Sequence, residues 1–312
     1  MSAYLHAFGA YLPDRIVTNA ELAVRVGRTP EWIEDSCGIR ERRWAAAETS
    51  VADLGLAAAE DCLRKAGVEP TSIGMLMVAS GSGSRGFPGP AAEIAARLGI
   101  GQAPVLDIPM ASAGALFGLA LAMRLTESQG DMLIVGAEKM SPVIDVEPLD
   151  PNTAILFGDG AGAALVSARP GPWRMLDAVL HTDGQYREDL TFDGTGPLRM
   201  NGWNVMLQAS RNIPSAIVEV LGRQNIPVTD VAAFLFHQAN LNLLKRAAKA
   251  LTVPPEKVFT NVQRYGNTSS ASMLIAAAEW AAANPAPGPV VFAAFGAGFH
   301  WGALVAESSS GA

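Results

Sequence analysis

The sequence predicts an α/β fold in which two halves share one plan, and three observations lead to this prediction. Short apolar runs alternate with segments of helical periodicity, the same order of elements occurs twice, and each half has a long helix that is apolar on nearly all sides. Alternating strands and helices are typical of parallel sheets covered on both faces. Because a helix without a polar face is usually buried, we expect two central helices between two sheets.

The first half opens with a helix over residues 54–66, whose apolar residues recur at helical spacing until Gly67 ends it. The further elements predicted in this half are a strand at 73–79, a helix at 91–98, a strand at 105–108, a long helix at 113–127, a strand at 131–135, a strand at 154–157, a glycine-rich bend at 158–162 and a strand at 163–166. The long helix starts directly after Ser112.

The second half repeats this order of elements. Predicted here are a strand at 231–236, a helix at 241–251, a strand at 258–261, a long helix at 271–283, a strand at 289–294, a glycine-rich bend at 295–298 and a strand at 301–306. A turn-rich joint at 169–173 divides the chain into halves 1–168 and 169–312. Residues 183–203 contain no predicted element, and a connection of that length is often functional.

Composition limits the classes of protein to which this chain of 312 residues can belong. Hydrophobic residues make up 49% and charged residues 17%, as in packed globular proteins. The net charge of −7 disfavours nucleic-acid binding. The two cysteines, Cys37 and Cys62, form neither a disulfide framework nor a zinc motif. Without a signal peptide or an apolar run of membrane-spanning length, we expect a cytoplasmic protein that does not bind membranes.

Two clusters of basic residues can be interpreted in two ways. The clusters consist of Arg40, Arg42 and Arg43, and of Lys245, Arg246 and Lys249. Each is either ordinary solvated surface or a docking site for phosphates or for an acidic carrier protein.

Ser112 lies between a predicted strand and the start of a long apolar helix. A nucleophile at this place faces the helix N-terminus, whose free N–H groups and dipole stabilise developing negative charge. A serine at this place could equally be a helix N-cap. The surrounding residues do not form the G-x-S-x-G turn of α/β-hydrolases.

His237 and Asn267 are the other candidate catalytic residues. His237 ends a buried strand, at the carboxyl end where parallel α/β sheets bind ligands. Asn267 lies in the turn that corresponds, in the second half, to the Ser112 turn. A His ring and an Asn amide side by side can donate two hydrogen bonds to one oxygen, as in an oxyanion hole. The alternatives are a core histidine and a turn asparagine.

Two glycine-rich segments have no phosphate-binding context, because a strand rather than a helix follows each of them. We expect the segment at 158–162 to be a tight bend that brings backbone close to the active site. The segment at 295–298 is its counterpart, and its N–H groups could form a second oxyanion site.

Six motifs, in this order along nearly the whole chain, resemble those of β-ketoacyl-ACP synthase III. They are Trp32-Ile with Gly38-Ile-Arg-Glu-Arg-Arg, Asp107-Ile-Pro-Met-Ala-Ser-Ala-Gly, Phe157-Gly-Asp-Gly-Ala-Gly-Ala, His237-Gln-Ala-Asn, Tyr265-Gly-Asn-Thr-Ser and Phe295-Gly-Ala-Gly-Phe-His-Trp-Gly. The resemblance implies a five-layered αβαβα thiolase fold and a homodimer. It also implies transfer of an acyl group from coenzyme A to an active-site nucleophile, then condensation with a malonyl thioester, usually on acyl carrier protein, with loss of CO₂.

The resemblance implies roles for several residues and no tightly bound cofactor. His237 and Asn267 would hold the thioester oxygen of the malonyl donor, and Trp32 would stack on the adenine of coenzyme A. The residues expected to contact coenzyme A or the acyl group are Trp32, Arg40, Asn240, Trp203, Met206, Gly298 and Phe299. Trp203 replaces an asparagine common in the family, so the acyl pocket should be reshaped.

The chain departs from the family at the nucleophile and at three arginines. Ser112 stands where the family has cysteine, and it is either an engineered replacement or a natural serine, as in some specialised synthases of secondary metabolism. A serine hydroxyl needs a base, whereas a thiol near a helix N-terminus ionises readily. Ser36, Pro151 and Asn242 replace arginines, which should weaken docking of phosphate and carrier protein.

Three functions are compatible with these residues. The first is decarboxylative condensation of the synthase III type. The second is acyl transfer to an alcohol or amine, with His237 as the base that activates the acceptor. The third is a catalytically silent, acyl-binding partner subunit, which Ser112 favours but which would need neither His237 nor Asn267.

Overall fold

A nine-stranded mixed sheet organises the chain, which is represented by a computed structural model describing residues 2–83, 86–147, 149–194 and 196–309. The strands are β1 (Ala3–Tyr11), β2 (Ile16–Thr18), β3 (Glu41–Arg43), β4 (Ile73–Ala79), β5 (Val105–Ile108), β6 (Asp131–Glu138), β7 (Gly160–Ser167), β8 (Trp173–Thr182), β9 (Leu190–Thr191), β10 (Arg199–Met200), β11 (Ala233–Phe236), β12 (Pro289–Gly296) and β13 (His300–Ser308). Two short pairs, β2–β3 and β9–β10, lie outside the main sheet.

Some helices pack on the outer faces of the sheet, and others lie between the two parts of the sheet. They are α1 (Asn19–Val26), α2 (Pro30–Cys37), α3 (Val51–Ala66), α4 (Pro90–Leu98), α5 (Gly114–Gln129), α6 (Ser141–Ile144), α7 (Pro151–Ala154), α8 (Gly202–Arg223), α9 (Leu241–Leu251), α10 (Val262–Tyr265) and α11 (Ser272–Ala282). Most predicted elements agree with these bounds to within a few residues, and both long apolar helices are buried as predicted.

The strand order is β11-β12-β13-β8-β1-β7-β6-β4-β5. Parallel pairs occur towards both edges, at β4–β5, β4–β6 and β11–β12, and the central pairs are antiparallel. The expectation of parallel sheets therefore holds only towards the two edges. Among the antiparallel pairs, β12 and β13 form a hairpin joined by a tight turn, and the others pair strands that are distant in sequence or joined by a long connection. The joint at 169–173 connects the central strands β7 and β8, and the division at residue 168 stays a prediction.

Helices and strands stack in five layers. On one outer face α3 packs against β1, β6 and β7, and α4 packs beside it. On the other outer face α8 packs against β8, β12 and β13, next to α9. Between these sheet surfaces lie α5, which contacts strands of both ends, and α11. This is the αβαβα arrangement that the sequence predicts.

Three predicted elements were wrong. No strand forms at 154–157, where Ala154 ends α7 and Phe157 makes a single bridge to Asn267. The Asp150 side chain caps this helix, whose first residue is Pro151. The bend predicted at 158–162 includes the start of β7, which is buried and paired with β1 and β6. At 258–261 only Val258 makes a single bridge, to Phe234, so no strand forms there.

Three long elements of the structure were not predicted from the sequence, namely β1, β8 and the 22-residue helix α8. Helix α8 begins at Gly202 and continues through Pro214, which disguises it in the sequence. The connection at 183–203 contains regular structure, namely a 3₁₀ turn at Gly184–Asp189 and the β9–β10 hairpin.

The close contact between Gly136 and the backbone of Ser270 gives a test of the packing. A Cβ on Gly136, in β6, would overlap the carbonyl oxygen of Ser270. We expect Gly136→Ala to lower the free energy of unfolding by about 1–3 kcal/mol, measured by urea denaturation. Gly222, in α8, has no atom within 4 Å of its Cβ position, so Gly222→Ala is the control and should raise stability by about 0.5–1 kcal/mol. Equal effects of the two substitutions would contradict this packing.

Candidate active site

A cavity of about 690 Å³ brings the three candidate catalytic residues into one lining. Ser112 follows β5, His237 follows β11, and Asn267 lies in the turn before α11. All three are buried, with exposed fractions of 8%, 5% and 6%. The cavity is otherwise mainly apolar, and Trp32 and Trp203 also border it. Buried polar groups that converge in an apolar cavity are typical of an active site.

Ser112 has a backbone conformation that a helix cap does not need. Its φ is +66°, which is costly for a residue other than glycine and is found mostly at functional sites. The N-cap of α5 is Ala113, so the N-cap interpretation of Ser112 was wrong. The Ser112 N–H donates to Ser269 Oγ at 3.0 Å, and the Oγ atoms of these two serines are 3.5 Å apart. The turn therefore presents the Ser112 hydroxyl to the cavity.

His237 is held in place by Ser272. Its Nδ1 lies 2.6 Å from Ser272 Oγ, which also accepts the N–H of Gln238 at 3.0 Å. Burial lowers the pKa of His237 to about 4, although a hydrogen bond with the Ser269 backbone acts in the opposite direction. The ring is therefore neutral at pH 7. When the Ser272 hydroxyl donates to Nδ1, Nε2 carries the proton, and when it accepts, Nε2 is a base.

The amide of Asn267 is oriented by the turn that contains it. Its Oδ1 accepts the N–H of Ser269 at 2.8 Å, which leaves the Nδ2 group as the donor on the other side of the amide. The Asn267 backbone is fixed at both polar atoms, because its N–H donates to Leu156 O and its carbonyl accepts from Gly158 N. The Nδ2 group of Asn267 is therefore a free donor of a residue that lines the same cavity as His237.

Glu138 is a buried residue next to the site that was not predicted from the sequence. It is fully buried at the end of β6 and accepts hydrogen bonds from the backbone N–H groups of Gly81, Ser82 and Ser270, at 2.9–3.2 Å. Ser270 in turn donates from its hydroxyl to Met110 O at 2.8 Å. Glu138 thus ties the turn that contains Asn267 to the segment before Ser112. The only sequence signal was a carboxylate at the end of an apolar strand.

The predicted binding residues divide into two groups. Trp32, Trp203, Met206 and Asn240 line the cavity, whereas Arg40, Gly298 and Phe299 do not. Arg40 is exposed, and Phe299 is fully buried between Tyr186 and Phe295. Gly298 packs against the ring of His300. The structure therefore does not place these three at the cavity.

Lys245, Arg246 and Lys249 are exposed, whereas the first basic cluster contains a buried arginine. Arg42 is fully buried and donates to Val17 O, Asn19 Oδ1 and Ile155 O, and burial lowers its pKa to about 10. The docking interpretation was therefore wrong for Arg42, whose guanidinium joins three segments of backbone. Asn242, where the family has arginine, donates to the carbonyls of Asp35 and Ser36 and fastens α9 to α2.

The connection at 183–203 forms one wall of the cavity. Apolar side chains of the β9–β10 hairpin line the cavity, namely Leu190, Phe192, Leu198 and Met200. The hairpin is fixed to the start of α8, because Asp189 accepts hydrogen bonds from the side chains of Asn201 and Asn204. This segment therefore contributes to the site, as its length suggested.

The described residues contain neither a candidate membrane span nor a cluster of metal-binding side chains. Among them, no helix is both long and apolar enough to cross a bilayer. In the same residues, no cluster of three or more His, Cys, Asp or Glu side chains could hold a metal ion.

Comparison with known proteins gives consistent matches. Residues 106–184 match the family model of 3-oxoacyl-[acyl-carrier-protein] synthase III, and residues 221–308 match the model of its C-terminal part. The β-ketoacyl-[acyl-carrier-protein] synthase III of Oleidesulfovibrio alaskensis is 34% identical, with 97% of this chain and 98% of that protein covered. That of Bacillus pumilus is 35% identical, with the same coverage.

Solved structures match over the same length. The 3-oxoacyl-[acyl-carrier-protein] synthase III of Aquifex aeolicus superposes with a TM-score of 0.93 at 32% identity, and the match covers 98% of this chain and 99% of that one. The priming β-ketosynthase of the R1128 polyketide biosynthetic pathway has a TM-score of 0.89 at 31% identity, with 98% and 96% covered.

Proposed function

This chain belongs to the 3-oxoacyl-[acyl-carrier-protein] synthase III family, and from this premise we propose that Ser112 carries the acyl group in a two-step acyl transfer. The chain is an acyltransferase of this type, in which acyl transfer is followed by condensation with a malonyl thioester. The observation that carries the proposal is the single cavity into which Ser112, His237 and Asn267 converge.

In the first step Ser112 Oγ attacks the carbonyl carbon of an acyl-coenzyme A thioester. A C–O bond forms and the C–S bond breaks, which leaves an ester on Ser112 and a coenzyme A thiolate. The neutral ring of His237 takes the hydroxyl proton at Nε2, with Ser272 supporting the Nδ1 proton, and passes it to the thiolate. Backbone N–H groups of the part of the segment 295–298 that lines the cavity, at 295–297, stabilise the oxyanion.

In the second step a malonyl thioester occupies the cavity. Between the two steps the neutral ring of His237 changes tautomer, so that the Ser272 hydroxyl donates to Nδ1 and Nε2 carries the proton. This Nε2–H and Nδ2 of Asn267 donate to the thioester oxygen of the malonyl group, which favours loss of CO₂ and formation of the enolate. The enolate carbon attacks the ester carbonyl, a C–C bond forms and the C–O bond to Ser112 breaks. The departing Ser112 oxygen takes a proton from the solvent, which regenerates the hydroxyl. The orientation of Asn267 by Ser269 supports this role.

Ser112 gives a specific reason to keep a second function. An ester on Ser112 is a less reactive acyl donor than a thioester, so acyl transfer to an alcohol or amine acceptor, activated by His237, is the alternative reaction. A catalytically silent subunit is disfavoured, because His237 and Asn267 keep their orienting hydrogen bonds to Ser272 and Ser269.

The acyl donor enters past Trp32, and the protein acts as a homodimer. The guanidinium of Arg28 lies 5.2 Å from the centre of the Trp32 ring, which supports a role for Trp32 in stacking on coenzyme A.

Strand β5 is an edge of the sheet, with Leu106 41% exposed, and the Phe87 side chain is 99% exposed. Such apolar exposure next to a sheet edge supports a dimer interface there. Lys245 and Arg246 are candidates for contacts with acyl carrier protein.

Intact-mass spectrometry tests this proposal. We expect butyryl-coenzyme A to add one butyryl mass to the wild type and to Ser112→Cys, and none to Ser112→Ala, since only the first two have a nucleophile at this position. Addition of malonyl-ACP should then release CO₂ and remove the adduct. If neither the wild type nor Ser112→Cys is acylated, covalent catalysis is excluded. Acylation without CO₂ release would favour the alcohol or amine acceptor.

A further inference from the structure

His300 is a second histidine in the cavity, and the two-step reaction above does not use it. It is the first residue of β13, and its side chain lines the cavity together with Ser112. Several other polar groups of the lining are already engaged, since Ser269 orients Ser112 and Asn267, Asp150 caps α7 and Asn240 caps α9. His300 is therefore a titratable group of the cavity without an assigned task.

The ring of His300 is held at one nitrogen and on one side. Its Nδ1 lies 2.8 Å from Thr182 Oγ1, and the ring meets Phe117 of α5 edge-on, with 5.7 Å between ring centres. A Cβ on Gly298 would overlap the ring, so a glycine is needed there. Among the described residues, Nε2 of His300 has no hydrogen-bond partner. The protein thus fixes one side of the imidazole and leaves Nε2 available to the cavity.

The position of His300 relative to the nucleophile follows from the segment 296–298. At one end of this segment a Cβ on Gly296 would lie 3.1 Å from Ser112 Cβ, and at the other end Gly298 packs against His300. The α-carbons of these two glycines can be at most about 7 Å apart. Phe117, which contacts His300, belongs to the helix that follows Ser112. A short acyl chain on Ser112 therefore comes within reach of the His300 ring.

Burial lowers the pKa of His300, so its ring is neutral at pH 7. A neutral imidazole forms its hydrogen bond with an uncharged hydroxyl or carbonyl group at little cost, whereas a fully apolar acyl chain would cover Nε2 and leave it unpaired. A site built to hydrogen-bond a substrate oxygen discriminates strongly against analogues that lack that oxygen.

We propose that His300 selects acyl groups that carry an uncharged hydroxyl or keto oxygen, which hydrogen-bonds to Nε2 while the acyl group is bound to Ser112. This inference rests on the acylation of Ser112 proposed above. It names His300 as a residue that determines specificity for the acyl donor, and it assigns an oxygenated short acyl group as the class of substrate.

The experiment compares four-carbon donors by their rates of adduct formation in intact-mass spectrometry. The donors are butyryl-, 3-hydroxybutyryl-, 4-hydroxybutyryl- and succinyl-coenzyme A. We expect the wild type to react about 10-fold or more faster with at least one hydroxybutyryl donor than with butyryl-coenzyme A. His300→Phe keeps an aromatic ring against Phe117 and should bring this ratio to one or below. His300→Gln keeps a polar end and should retain part of the preference.

The outcomes separate this inference from the function on which it rests. A wild type that forms no adduct with any donor overturns the role of Ser112 and this inference with it. Adducts that form at the same ratio in the wild type and in His300→Phe overturn this inference alone. A preference of the wild type for butyryl or succinyl donors also overturns this inference alone. An equal slowing of all donors in His300→Phe does the same, because it would place His300 in the acylation step itself.

Discussion

Replacing His237 by alanine is expected to slow acylation of Ser112 by about 10²–10⁴-fold, the usual contribution of a general base, and to slow acylation of a cysteine at the same position far less. The hydroxyl of Ser112 cannot ionise by itself, and His237, neutral because burial lowers its pKa to about 4, is the base in the proposed reaction. A thiol has a pKa near about 8.5, lowered further at a helix N-terminus, and loses its proton without a base.

The measurement is a double-mutant cycle on the rate of acyl-enzyme formation. It compares the wild type, His237→Ala, Ser112→Cys and the double variant with the same acyl-coenzyme A. Any structural damage from removing the buried His237 ring occurs in both backgrounds and cancels in the comparison. We expect a loss of no more than about 10-fold in the cysteine background. Equal losses in both backgrounds would show that His237 does not act as a base on Ser112.

The fold was largely predictable because its periodic signals are strong. Strand β4 and helix α9 agree with the structure at both ends, since an apolar run and a helical stripe dominate those segments. Helix α8 was not predictable in the same way, because its interior contains polar residues and Pro214, and packing against the sheet maintains it. The glycines of β7 looked like a bend because the neighbours that approach them come from distant parts of the chain.

The site was predictable where chemistry requires a particular residue type at the end of a strand, as at His237. It was not predictable where a residue acts through contacts that are distant in sequence. Glu138 bonds to segments 56 to 132 positions away, and Ser272 bonds to His237 across 35 positions. Phe299 was placed in the binding site from its motif, yet its side chain points into the core. Three-dimensional contacts, which a single sequence does not encode locally, decide these cases.

The burial of neutral His237 should also appear in the stability of the protein. Its pKa is lowered from 6.5 to about 4, so the unfolded chain binds this proton more tightly than the folded chain does. The stability contribution is fully present above pH 6.5 and is lost as the pH falls towards 4. At about 1.4 kcal/mol per pH unit, the loss is on the order of 3 kcal/mol.

Urea denaturation of the wild type and of His237→Gln, repeated between pH 7 and pH 4, isolates this contribution. The glutamine cannot titrate, while other groups, including His300 and buried Asp159, are common to both proteins and cancel in the difference. We therefore expect the wild type to lose stability relative to His237→Gln as the pH falls, by an amount on the order of 3 kcal/mol. Parallel pH curves for the two proteins would show that folding does not lower the pKa of His237, which would contradict a desolvated ring in the folded state.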